Sequence, residues 1–111
     1  MKHQMKLWNE PFNKITSKTK TVEMRLNDEK RSLIQVNDII EFINVETNEI
    51  INVKVKKLNK YKDFKELYSH YDKVAIGYNE DENESYLDML QYYKEEDVEK
   101  YGALAIEIEV I

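Results

Sequence analysis

Residues 18–31 read KTKTVEMRLNDEKR and hold three side chains whose types and spacing suit polar recognition: Lys20, Glu23 and Arg25. Arginine offers a fixed fork of donors, lysine a point charge, and glutamate an acceptor for amide or amine groups. Together they fit an anionic or polar planar ligand. Lys18 before the trio, and Asn27 and Arg31 after it, complete the expected ligand-binding set. The same residues also fit a solvated sheet face on which Lys, Glu and Arg pair with one another, an arrangement worth little to stability. Spacing alone leaves both readings open.

The element that must carry the trio is a strand. Val22, Met24 and Leu26 alternate with period 2, so they should face inward, with Thr21, Glu23 and Arg25 on the opposite face. Asn27-Asp28 ends the strand as a turn. Before it, Met5–Trp8 reads as a short strand. A helical turn follows, with Asn9 as N-cap, Pro11 just inside, and Phe12 and Ile15 buried together. After it, the turn pair Asn37-Asp38 leads into the β-branched run Ile39–Val45. Thr47-Asn48-Glu49 connects that run to a partner strand over Ile51–Leu58. Lys62–Tyr71 has helical spacing with Asp63 as cap, Ser85–Tyr93 is helical, and Lys94–Tyr101 forms a further helix stopped by Gly102. Ala103–Ile111 closes the chain as a strand with Leu104, Ile106, Ile108 and Val110 inward. Strands at both ends, with short helices inserted between the long hairpin and the C-terminal strand, imply an α+β domain on a small curled sheet or β-barrel.

The 111 residues are enough for one domain, residues 1–111, with a modest core from 41% hydrophobic residues. A formal net charge of -5 argues against nonspecific nucleic-acid binding, which needs a basic field. Any such contact would need a local patch, for which Lys18, Lys20, Arg25, Lys30, Arg31, Lys54 and Lys56 are available. Without cysteine there is no disulfide, thiolate metal site or thiol nucleophile. His3 and His70 stand apart, and Glu80–Glu84 lacks the glycine and spacing of a calcium loop, so no metal is expected. No cofactor is expected either. The absence of an apolar leader or spanning run leads to the expectation of a cytoplasmic protein with no membrane partner. The eight tyrosines mostly have core spacing, with Trp8 and Tyr78 as candidates to stack a base.

On Ile15, on Lys20, Glu23 and Arg25 in KTVEMR, on the following NDEKR, on the Asn37-Asp38 turn and on the closing YGALAIEIEVI, the chain resembles the ASCH domain family, small bacterial single-domain members in particular. The resemblance implies a PUA-like β-barrel and a cleft lined by the Lys-x-x-Glu-x-Arg strand that takes RNA, a nucleotide or a nucleoside. It departs from the family pattern at Lys18 and Asn37, where glycine is common, so a differently shaped approach loop is expected at Lys18. Some relatives are amidohydrolases that deacetylate modified cytidine with the Lys, a Thr three residues on, and a later Glu. Here Lys20 fits, Glu23 replaces the Thr, and Glu82 or Glu84 is the later carboxylate. A hydrolase would then use Lys20 to stabilise an oxyanion and Glu23 as base. A plain protein-interaction module is the remaining alternative.

Overall fold

A computed structural model describes residues 1–111. The strands are β1 (Lys2–Leu7), β2 (Val22–Leu26), β3 (Ile39–Asn44), β4 (Ile50–Tyr61) and β5 (Ala103–Val110). The helices are α1 (Asn9–Thr16), α2 (Phe64–Tyr68) and α3 (Glu95–Tyr101), with 3-10 turns at Arg31–Leu33 and Tyr86–Gln91. One sheet runs β1-β3-β4-β5-β2, with β1 parallel to β3 and every other pair antiparallel. β4 is long enough to pair with β3 through its first half and with β5 along most of its length. A register shift between Val55 and Lys57 bends it, and such a bulge increases local twist. The sheet therefore curls into a half-barrel whose edge strands are β1 and β2. The α+β class and the short helices between the β3–β4 hairpin and β5 are as the sequence implies.

Two apolar clusters sit on the two faces of the curl. Phe12 and Ile15 of α1, Ile40 and Phe42 of β3, Val53 and Val55 of β4, and Leu104 and Ile106 of β5 fill the concave side. Phe64, Leu67, Ile76, Met89 and Val98 cover the convex side over Ala103 and Ala105. Small alanines on β5 let the helices approach that face, while its large residues point the other way.

Several local expectations change. Val22, Met24 and Leu26 are buried, but under the helices rather than inside the curl. Asn9 lies inside α1, which starts from Trp8 without a side-chain cap. The Asn9 side chain instead accepts from Asn44 Nδ2 at 2.8 Å and from Asn13 Nδ2 at 3.2 Å. The helix expected over 62–71 is only α2. Asp63 caps it through the Glu66 amide at 2.8 Å, and Ser69 ends it by donating to the Glu66 carbonyl at 2.6 Å. In the 86–91 turn only Met89 is buried, because a 3-10 turn cannot keep a wide apolar face. His3 sits in β1 and meets Asp38 at 2.8 Å. No helix is long and apolar enough to cross a membrane.

Candidate functional site

Register decides where the central trio goes. On the β2–β5 ladder Glu23 pairs with Ile106 and Arg25 with Leu104, both concave-side residues. Glu23 and Arg25 therefore point into the curl, and Glu23 is only 3% exposed. A solvated charged face is thus excluded for β2. Lys20, 8% exposed, reaches the same place from the loop before the strand. Its Nζ lies 2.8 Å from Glu23 Oε1. Arg25 Nε donates to Glu23 Oε2 at 2.9 Å, and its Nη2 lies 2.8 Å from the same oxygen as an ion pair.

The same guanidinium has a second task. Nη2 also donates to the Lys6 carbonyl at 2.9 Å. Lys6 belongs to β1 and Arg25 to β2, the two edge strands, so a side chain bridges a seam that backbone pairing leaves open. The cleft occupies that seam, with a volume of about 420 Å³. Lys20, Glu23 and Arg25 line its floor. Trp8 and Pro11 line one side, and Tyr68, Tyr78, Tyr92 and Tyr93 the other.

Electrostatics follow from this burial. Burial alone would raise the Glu23 carboxyl, but Lys20 and Arg25 beside it overcome that and hold it at about 2. Burial would lower Arg25, and the attraction of Glu23 outweighs it, so the guanidinium stays firmly protonated. Both Glu23 oxygens are engaged: Oε1 also accepts from the Met24 amide at 3.3 Å. The floor therefore presents donors, with a net charge of one cation.

The wall is a hydroxyl chain. Tyr68 and Tyr78 meet oxygen to oxygen at 2.9 Å, and Tyr78 donates to Asp88 Oδ2 at 2.7 Å. Burial, then the neighbouring hydroxyl, pushes Tyr68 well above the usual phenol range. Lys14 of α1 ties the loop to the helix by donating to the Gly77 carbonyl at 2.7 Å. Gly77, at φ 115°, is itself packed against Lys20: a Cβ there would sit 3.3 Å from Lys20 Cδ.

Three expected ligand residues do not join the cleft. Lys18 is exposed in the approach loop. It nevertheless adopts φ 68°, and Asn37 φ 77°, the left-handed conformation for which glycine is the usual choice. Arg31 turns back on Asp28 at 2.7 Å, with Asp28 also capping the Arg31 amide at 3.0 Å. Asn27 is outside the cleft lining, its backbone N–H donating to the Gly102 carbonyl at 2.9 Å. Four of the seven basic residues available for a patch are paired with carboxylates: Lys20 and Arg25 with Glu23, Arg31 with Asp28, and Lys56 with Glu109. Thr21 is exposed outside the cleft, whereas Glu82 lines it. Trp8 and Tyr78 do lie on its walls. Sequence reasoning missed Lys6, Asp88 and Lys14, which come from β1, the 3-10 turn and α1. Their only signal is tertiary proximity. No three His, Cys, Asp or Glu side chains converge into a group able to hold a metal ion.

A curled half-barrel of PUA-like type, with a polar cleft at the seam between its edge strands, defines the class. The ASCH domain model matches residues 5–111, so the chain belongs to the ASCH domain family. Hypothetical protein PH0355, known from a crystal structure, is 36% identical with a TM-score of 0.85, and 100% of each chain is covered. Protein PF0455 from Pyrococcus furiosus, solved by NMR in solution, is 32% identical with a TM-score of 0.78, over 100% of this chain and 98% of that one. ASCH from Zymomonas mobilis, 19% identical with a TM-score of 0.69 over 96% of this chain and 65% of that one, shares the fold. No curated protein matches the sequence.

Proposed function

We propose that the seam cleft binds a single nucleoside unit, free or presented by a short RNA, with its base over Lys20 and Arg25. The carrying observation is the ion-paired Lys20–Glu23–Arg25 array at the base of an aromatic cleft. Unused donors on Lys20 and Arg25 suit a base carbonyl, and the tyrosines and Trp8 offer stacking faces. Charge favours one unit over a long strand. Lys6, Lys20 and Arg25 line the cleft against Glu10, Glu23, Glu82 and Asp88, three cations to four carboxylates. Such a lining does not replace the counterions of a phosphate backbone, so affinity depends weakly on salt. Calorimetric titration with ribonucleosides at low and high salt tests the reading. Binding that changes little with salt and weakens at least tenfold in Lys20→Ala supports it. Binding of long RNA that collapses with salt, or no binding by nucleosides, overturns it.

A deacylase reading draws on Lys20 and Glu82 lining one cleft. Against it, a carboxylate held at about 2 by two cations is a poor proton acceptor at neutral pH. Release of acetate from acetylcytidine, lost in Lys20→Ala, would favour hydrolysis over binding alone.

A further inference from the structure

The cleft carboxylates are not equivalent. Glu23 is bound by Lys20 and Arg25, and Glu10 and Glu82 lie 3.0 and 3.9 Å from Lys14 Nζ. Asp88 alone among them has no cationic partner. It is nevertheless held in place, because Tyr78 donates to its Oδ2 at 2.7 Å while Tyr78 itself is braced by Tyr68 at 2.9 Å. Oδ1 of Asp88 has no partner in the chain and is free to accept. Asp88 is exposed on the 3-10 turn at the mouth, whereas Lys20 and Glu23 are buried on the floor.

Hydrogen-bond accounting then separates the two ends of the cleft. The floor donates and has no free acceptor, since both oxygens of Glu23 are occupied. A ligand's own donors must be met at the mouth. In a nucleoside whose base carbonyl lies on the floor, those outer donors are the sugar hydroxyls. A fixed carboxylate accepts from vicinal hydroxyls by charge-assisted bonds, as acidic residues do with ribose in dinucleotide-binding folds.

We infer that Asp88, positioned by Tyr78, reads the ribose hydroxyls, so that the cleft selects ribonucleosides over 2′-deoxyribonucleosides. This rests on the nucleoside reading above. The test is calorimetric titration of the full chain with the common ribonucleosides and their 2′-deoxy counterparts, in the wild type, Asp88→Asn and Tyr78→Phe. Expected is a preference for ribose of about tenfold in the wild type, the size of one hydrogen bond to a charged group. In Asp88→Asn that ratio falls towards one, and in Tyr78→Phe it shrinks. Equal binding of both sugars by the wild type, or a ratio that survives in Asp88→Asn, overturns the inference and leaves nucleoside binding standing. Binding of neither sugar removes the nucleoside reading and this inference with it.

Discussion

Glu23 is the residue on which the site turns, because buried Lys20 and partly buried Arg25 both depend on it. Replacing it by glutamine leaves Lys20 and Arg25 with no counter-charge on the cleft floor. Breaking a buried pair in this way costs about 3–5 kcal/mol. Urea denaturation of Glu23→Gln should show a loss of that order, and a loss below about 1 kcal/mol would contradict the arrangement. The same residue sets an acid limit. Its carboxyl is held at about 2, below its ordinary 4.5, and Asp38, bonded by His3, the Gln35 amide and the chain's amino terminus, is also near 2. Depressed carboxyls stabilise the fold fully above their unfolded values and lose that contribution as pH falls through the folded ones. Stability should therefore be flat near neutrality and decline from about pH 4.5 towards pH 2, with the decline shallower in Glu23→Gln. Of this site, the identities of Lys20, Glu23 and Arg25 were legible in sequence. Their burial was not, because it depends on β5 placing Ile106 and Leu104 opposite Glu23 and Arg25.

At the scale of elements, two positions have backbones that their neighbours require. Lys18 takes φ 68° to bring α1 round to Lys20. A side chain there costs about 1–2 kcal/mol relative to glycine, partly offset by the freedom glycine gains in the unfolded chain. Lys18→Gly should raise stability by about 1 kcal/mol in a denaturant titration and leave ligand affinity unchanged. Gly102 is the opposite case. It has φ 78°, and a Cβ would come within 2.7 Å of the Tyr61 carbonyl oxygen. Gly102→Ala should lose about 2 kcal/mol or more, visible as a lower thermal midpoint. Strand periodicity, turn pairs and the Gly102 stop were readable locally, so β2, β3, β4 and β5 fall close to their expected places. α2 and the 86–91 turn were overextended because periodic tyrosines mimic a helical face. Tyr68 and Tyr78 instead serve the cleft wall, and Tyr86 and Tyr92 stay exposed.

For the whole molecule, the half-barrel is completed by a side chain. Arg25 spans β2 to the β1 carbonyl of Lys6, and the cleft exists because that seam has no backbone ladder. No stretch of sequence could announce this, since β1 and β2 meet only after β3, β4 and β5 have carried the sheet around. The acidic total of -5 and the near balance of charge in the cleft together favour a small polar ligand over a polyanion. The most direct measurement is a proton–nitrogen NMR titration of the protein with a ribonucleoside. The predicted result is saturable shifts of the Trp8 indole and of the Met24 and Gly77 amides, all at the cleft, nearly unchanged by added salt. No shifts at millimolar nucleoside, or shifts confined to the separate cavity around Leu90 and Val98 between α2 and α3, would contradict the assignment of the Lys20–Glu23–Arg25 cleft as the binding site.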